Sequence, residues 1–281
     1  MSKGYIVIAQ NSKVDYLRQA YALALSLKAT QTTVNNLTVL TNDTVPDKYK
    51  EVFDVQSIPW TDSAEQSDWK INNKWKYYYA TPYDETVILD TDMIFTADVS
   101  QWWETLQLKD IWAATNVRTY RNELVTNDTY RKVFTSNKLP NIYTAFFYFK
   151  QSELGVELYN LLNSIFDNWE RYFYLYLDED RPAFLSADVA YALAIKILGI
   201  EEDCTWNSLK EFPTFVHMKS KIQNIPLKDI TEEWEQHIPT YYTSNGELLV
   251  GNFVQTLPFH YHRKEWLTDN IISNLERRVG I

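Results

Sequence analysis

Thr86-Val87-Ile88-Leu89-Asp90-Thr91-Asp92-Met93 is the stretch on which the fold turns. Thr86 to Leu89 is a continuous β-prone run without polar alternation. That is the pattern of a strand buried on both faces, as in a parallel sheet covered by helices. The run ends at once in two carboxylates one residue apart. In open α/β sheets, ligands gather outside the carboxyl ends of strands. The same eight residues therefore predict an architecture and the place of a site.

The segments around this strand repeat the alternation. Tyr5–Ala9 is a β-rich run, and Lys13–Ala29 carries Leu17, Ala20, Tyr21, Ala24 and Leu25 at helical spacing. Leu37–Thr41 reads as a strand, Pro46 as the start of a short helix, and Asp54–Ile58 as a third strand. Trp69–Ala80 reads as a helix ended by Pro82, Val99–Leu106 as another, and Ile111–Thr115 as a strand. This β-α-β order predicts a mostly parallel sheet with helices on both faces.

After it come the polar stretch Asn116–Asn141, a strand at Thr144–Phe149 and a serine-capped helix over Ser152–Trp169. Trp169–Asp180 is aromatic and acidic. Ala187–Leu198 reads as a helix stopped by Gly199, and Thr214–Met218 as a short β run. Asn245-Gly246 marks a hairpin turn between Thr240–Thr243 and Glu247–Val254, and Glu265–Arg278 reads as a terminal helix.

Composition narrows the chemistry. The chain has 281 residues and one cysteine, Cys204, so disulfide frameworks and thiolate zinc clusters are excluded. No apolar run approaches the ~20 residues of a membrane helix, and none suits a signal peptide. A soluble, cytoplasmic protein without membrane partners is expected. Only 6 glycines occur, with no G-x-G-x-x-G and no P-loop, which argues against glycine-cradled dinucleotide and P-loop sites. A net charge of −10 opposes broad nucleic-acid binding.

Paired strand-end carboxylates suit a hard divalent cation, whose shell a bound diphosphate would complete. With 19 Asp in the chain, about one D-x-D arises by chance, and Asp178-Glu179-Asp180 is a second such pair. That pair follows no strand and runs into Arg181-Pro182, so it reads as a solvated loop. Asp90 and Asp92 remain as the metal candidate, a capped turn being the plain alternative.

In these motifs the chain resembles the GT-A-fold glycosyltransferases, and within them glycosyltransferase family 8, the glycogenin-like enzymes. The resemblance is carried by Asn11-Ser12-Lys13-Val14-Asp15-Tyr16 and the helix after it, by Lys74-Trp75-Lys76 through Asp92, and by Ser186-Ala187-Asp188. It implies a Rossmann-like, mostly parallel sheet with a small C-terminal hairpin and helix. It also implies a single domain over 1–281, divided into a nucleotide-sugar half (1–115) and an acceptor-side half (116–281).

Residue by residue, the resemblance implies that Ala9, Asn11 and Tyr16 border the nucleotide, Tyr16 stacking on uracil where plain helix packing is its alternative. Lys74 would meet the diphosphate or sugar, with Lys70 and Lys76 as rivals. Asp90 and Asp92, with Thr91 between them, would hold Mn²⁺ or Mg²⁺ beside a UDP-sugar. Asp188 would orient the donor sugar or acceptor, or else act as a helix N-cap. A late histidine would complete the metal shell. His217, in Val216-His217-Met218-Lys219-Ser220-Lys221, is the first candidate, and His260, in His260-Tyr261-His262-Arg263-Lys264, is the competitor. His237 reads as solvent-facing. The sequence departs from the family pattern at Tyr143, Ala145 and Val189, where Asn, Gly and Gln are usual.

The reading is thus a metal-dependent, retaining transfer of a sugar to a hydroxyl on a glycan, protein or small molecule. The chain also resembles glycosyltransferase-like proteins of tailed phages. With the basic excess of Arg118–Lys138, this admits a hydroxymethylated DNA base as acceptor. Two other classes stay open. One is a non-catalytic nucleotide-sugar-binding protein, motivated by the three departures. The other is a nucleotidyltransferase, disfavoured by the missing glycine-rich loop.

Overall fold

The computed structural model describes residues 1–65, 67, 70–125, 131–205, 211–219 and 238–281. The strands are β1 (Lys3–Ile8), β2 (Leu37–Leu40), β3 (Asp54–Gln56), β4 (Glu85–Leu89), β5 (Met93–Ile94), β6 (Ile111–Ala114), β7 (Tyr143–Lys150), β8 (Val216–His217), β9 (Thr240–Tyr242), β10 (Leu248–Val250), β11 (Phe253–Val254) and β12 (Phe259–His260). The helices are α1 (Tyr16–Thr30), α2 (Asp47–Lys50), α3 (Tyr77–Ala80), α4 (Trp102–Leu106), α5 (Lys132–Ser136), α6 (Glu153–Asp167), α7 (Trp169–Tyr176), α8 (Ala187–Leu198), α9 (Glu201–Cys204) and α10 (Asp269–Val279).

The central sheet runs β3-β2-β1-β4-β7-β6. β1 pairs in parallel with β2 and β4, and β2 with β3, while β7 lies antiparallel between β4 and β6. This is the mostly parallel α/β sheet that the buried run at 86–89 predicts. The chain leaves β1 for β2 on one side and returns as β4 on the other. The crevice between the ends of β1 and β4 is therefore the topological switch point.

Alternation along the strands divides the core in two. Tyr5 and Val7 of β1 and Val87 and Leu89 of β4 face a cluster with α1, α4 and α10. Ile6 and Ile88 face a second cluster with α3, α6 and α8. Burial of such side chains contributes about 1.5–3 kcal/mol each, so both faces of β4 hold the strand that ends in the aspartates.

Several boundaries differ from expectation for local reasons. The helix expected over Trp69–Ala80 is a 3₁₀ turn at Lys74–Lys76 leading into α3, with Trp69 outside the described residues. The Asn73 side chain is committed to Gln10 and Asp62, each through Nδ2, and to the Ser63 amide, which holds the preceding turn. α1 begins at Tyr16 because Asp15 caps it, accepting from Arg18 N at 3.0 Å. The segment after Trp169 is a helix, α7, whose Phe173 alone is buried.

The N-cap of α8 is Ser186, so Asp188 is not the cap. Gly199 ends that helix in the left-handed region at φ 69°, where a Cβ is disfavoured. The strand expected over Glu247–Val254 is broken into β10 and β11 at Gly251, whose φ is 59°. The terminal helix starts at Asp269, capped by Thr268, after a 3₁₀ turn at Lys264–Trp266.

A second sheet, β5-β12-β8, stands at the end of β4. β5 follows Asp92 directly. β12 pairs antiparallel with it, His260 opposite Met93, and parallel with β8, His260 opposite His217. That register brings the C-terminal region to the aspartates. Among the described residues no helix is long and apolar enough to cross a membrane.

Candidate functional site

A cleft of about 250 Å³ opens at the switch point. From the end of β1 come Ile8 and Gln10, then Tyr16 from the first turn of α1; from the end of β4 come Asp90, Thr91 and Asp92. Lys74 and Tyr77 enter from the turn before β4, and His260, His262 and Lys264 from the C-terminal region.

The two aspartates have different partners. Asp90 accepts from Lys74 Nζ at 2.6 Å. Burial pulls the Lys74 ammonium down, but the facing Asp90 carboxylate outweighs it and raises its pKa, so Lys74 is held cationic. Asp92 accepts from His260 Nε2 at 2.9 Å and pairs with the Lys264 ammonium. Burial pushes the Asp92 carboxyl up, yet His260 and Lys264 together hold it well below its ordinary value. The Asp92 carbonyl also accepts from Tyr261 N at 3.1 Å, tying the two sheets together beside the carboxylate.

Ligand atoms of Asp90, Asp92 and His260 lie within 4.8 Å of one another, a spacing that one divalent ion could bridge. The donor set of two carboxylates and an imidazole suits Mn²⁺ or a similar ion. His260 Nδ1 is buried without a hydrogen-bond partner among the described residues. The residues therefore fit the ion expected at the D-x-D.

His217 stands one strand further out. The parallel register places its ring on that of His260, with centroids 4.7 Å apart and planes at 18°. Burial drives the His217 pKa well below its ordinary value, so it is neutral. The late histidine that meets the aspartates is thus His260, and His217 backs it. His262 turns edge-on to both rings, and burial, with His260 and Lys219 nearby, brings it down to about 4.

The three candidate lysines separate clearly. Lys74 reaches Asp90, whereas Lys70 donates to the carbonyls of Ala64 and Glu65, and Lys76 to that of Thr61. Tyr16 lines the cleft with Lys264 Nζ 5.8 Å from its ring centroid. The cleft lining includes Ile8 and Gln10 but neither Ala9 nor the exposed Asn11. Ala9 is buried and donates to Leu40 O, and Asn11 Oδ1 accepts from Leu17 N at 3.0 Å, shaping the turn into α1.

Asp188 is not part of the cleft lining, but its charge acts on Lys74 and helps to raise the lysine, behind the larger effects of burial and Asp90. It accepts from Arg131 at 2.7 Å and from the amide and hydroxyl of Thr144 at 2.9 and 2.7 Å. These bonds outweigh burial and lower its pKa. The Arg131 guanidinium is sandwiched at 3.9 Å between the rings of Phe134 and Tyr143. Tyr143, one of the three departures from the family pattern, thus packs on the arginine that holds Asp188. Val189, another, is buried in the core on the α8 side.

The basic excess of Arg118–Lys138 is largely spent internally. Arg118 pairs with Glu211, Arg121 with Glu123 and Arg131 with Asp188. The acidic pair Asp178/Asp180 is exposed, as expected of a solvated loop. His237, Ser220, Lys221 and Asp128 lie outside the described residues.

Lys264 and Gln10 are among the cleft residues to which the sequence analysis assigns no role. Lys264 stands four residues after His260, a spacing that becomes informative once His260 is placed beside Asp92. Gln10 alternates with Ala9 at the end of β1, so its side chain takes the opposite face.

No protein-family model and no curated protein matches the chain. Solved structures do. The glycosyltransferase GlyE of Streptococcus pneumoniae superposes with a TM-score of 0.50 at 12% identity, over 99% of this chain and 60% of that one. Mouse xyloside xylosyltransferase 1 matches at 0.47 and 11% identity, over 92% of this chain and 97% of its own. The galactosyltransferase LgtC, solved with donor and acceptor sugar analogues, matches at 0.47 and 10%, over 99% and 94%. The likeness to GlyE shows the fold, the GT-A arrangement expected from the sequence. The chain spans about 60% of the length of that protein.

Proposed function

We propose that the chain is a metal-dependent glycosyltransferase that moves a sugar from a nucleotide-sugar donor, a UDP-sugar, to a hydroxyl acceptor with retention of anomeric configuration. The observation that carries this is the meeting of Asp90, Asp92 and His260 with two lysines and Tyr16 at the switch point. Asp90, Asp92 and His260 would hold Mn²⁺ or Mg²⁺, which when bound neutralises charge on the departing diphosphate.

The side chains have separable tasks. Tyr16 offers a ring face to the base. Lys74, paired with Asp90, and Lys264, paired with Asp92, attract and orient the diphosphate. Asp188, fixed by Arg131 and Thr144, presents an ionised carboxylate on the Lys74 side, where sugar hydroxyls can donate to it. Walls from the partly buried Ile8 and the buried Tyr77 and Leu89 limit water. In the transfer, the acceptor oxygen bonds to the anomeric carbon on the same face from which the diphosphate departs, as the bond from that carbon to the diphosphate breaks, so that configuration is retained. The electron pair leaves with the diphosphate, and the hydroxyl proton passes to it.

The acceptor class spans a glycan, a protein side chain, a small molecule or a modified DNA base. A non-catalytic nucleotide-sugar-binding protein is the second reading, favoured by Val189, whose burial leaves no polar side chain where the family carries Gln. UDP release from UDP-glucose in manganese separates the two. We expect release, reduced about 10²-fold or more in Asp90→Asn and in Asp92→Asn. Binding of UDP-glucose without any release supports the second reading, and full turnover by both variants contradicts the first.

A further inference from the structure

The orientation of the Gln10 amide in the cleft is fixed from the backbone outward. Ser63 N can only donate, so its partner at 3.1 Å is the Asn73 oxygen, Oδ1, and Asn73 Nδ2 is turned the other way. That nitrogen donates to Gln10 Oε1 at 2.8 Å and to Asp62 Oδ1 at 2.6 Å. Asp62 Oδ1 also accepts from Ala64 N at 2.8 Å, and Asp62 Oδ2 accepts from Gln10 Nε2 at 2.6 Å. Burial opposes the charge on Asp62, but its donors Asn73, Ala64 and Gln10 outweigh that and lower its pKa. An ionised carboxylate only accepts. Turning the Gln10 amide over would set its oxygen against this carboxylate and its nitrogen against Asn73 Nδ2. Water offers little relief, because Asn73 is 0% and Gln10 5% exposed.

A primary amide has two N–H donors and two acceptor lone pairs. Asp62 takes one donor of Gln10, and Asn73 fills one lone pair. One N–H and one lone pair remain, on a side chain that lines the cleft. The main chain on either side is also held. Ala9 N donates to Leu40 O at 3.0 Å and Asn11 N to Asp43 Oδ2 at 2.5 Å, while Asn11 Oδ1 accepts from Leu17 N in the first turn of α1. Gln10 and Tyr16, which begins that turn, therefore stand on one frame.

A locked amide separates base edges that a freely turning one would accept alike. Uracil offers N3–H beside the O4 carbonyl. Cytosine offers a lone pair at N3 beside an amino group. An amide that meets N3 with its oxygen and O4 with its nitrogen makes two bonds to uracil. In the same seat cytosine sets acceptor against acceptor and donor against donor.

We propose that Gln10 reads the base of the donor, pairing through its locked amide with the imide edge of uracil and rejecting cytosine, with Asn73 and Asp62 as the positioning residues that hold it. The proposal rests on this cleft being the donor site, with Tyr16 at the base.

The test is calorimetric titration of the full chain in Mn²⁺ with UDP, CDP, ADP and GDP. UDP should bind at least about tenfold more tightly than CDP. Gln10→Ala should weaken UDP about tenfold and bring the two pyrimidine nucleotides close to parity. Asp62→Asn puts an N–H group in the place of a carboxylate oxygen and favours the turned amide. It should therefore weaken UDP and strengthen CDP, whereas a merely structural loss weakens both alike.

Equal affinity for UDP and CDP, a preference for UDP that survives Gln10→Ala, or equal weakening of both nucleotides by Asp62→Asn would overturn the proposal and leave the donor site standing. So would tighter binding of CDP, ADP or GDP than of UDP. If none of the four nucleotides binds, the donor reading falls and the proposal with it.

Discussion

Two arms hold the first cleft, and they are built to different strengths. The aspartate arm is the end of β4, paired on both edges inside a six-stranded sheet and buried along its length. The histidine arm is β12, two residues long, in a sheet whose other strands, β5 and β8, are equally short. Local stability follows paired backbone and buried apolar contact. The first arm therefore sets where the carboxylates stand, and the second sets how well a partner meets them. Ligand affinity in this cleft should be adjustable from the C-terminal arm without loosening the main sheet.

Breaking the joint between the arms should have the largest effect. Asp92 is 5% exposed and carries both His260 and Lys264. Asp92→Ala leaves those groups facing each other without a carboxylate and should cost about 3 kcal/mol. The double variant Asp92→Ala/Lys264→Met removes the stranded charge and should recover much of that loss. Denaturant midpoints read both. Equal destabilisation of the single and double variants would mean that the arms do not communicate through this charge pair.

Next in size is a change outside both arms. Arg131→Ala strips the buried partner from Asp188, whose side chain is 29% exposed, and should cost about 2 kcal/mol after solvent screening. A pH series sharpens the reading. The Asp188 carboxyl is depressed in the folded chain, so its contribution is present above the ordinary 3.8 and is lost as pH falls below it. The stability gap between the native chain and Arg131→Ala should therefore narrow as pH drops below that value. A gap constant with pH would mean that the loss is packing against Phe134 and Tyr143 rather than charge.

The smallest effect tests the weaker arm alone. His217 meets His260 face to face, so it should act by holding the ring. His217→Ala should weaken manganese binding about tenfold, as read by calorimetry, while His217→Phe keeps the stack and most of the affinity. Equal loss in both variants would make His217 a ligand instead.

These contrasts also explain what was readable in sequence. The apolar run at Thr86–Leu89 and the two aspartates are contiguous, so the strand, its burial and the place of the cleft follow from local pattern. Lys74 is sixteen residues before Asp90; the sequence leaves Lys70 and Lys76 as rivals, and only the folded chain brings Lys74 Nζ to Asp90 while turning the other two to backbone carbonyls. The choice between His217 and His260 depends on a register between two-residue strands, β5, β12 and β8, far apart in sequence. No periodicity is expressed over two residues, so the pattern is silent there. The role of Tyr143 was equally hidden, because its stacking partner Arg131 comes from another segment. At the end of β1 it is Ile8 and Gln10 that line the cleft, because alternation along the chain turns Ala9 to the opposite face.

The most direct test of the donor site is the melting temperature of the chain with UDP, with and without Mn²⁺. A ligand at ~100 times its dissociation constant stabilises the fold by about 2.7 kcal/mol. The account predicts a rise that needs UDP and Mn²⁺ together and vanishes in Asp92→Asn and in His260→Ala. A rise that persists in both variants, or no rise with UDP at all, would contradict it.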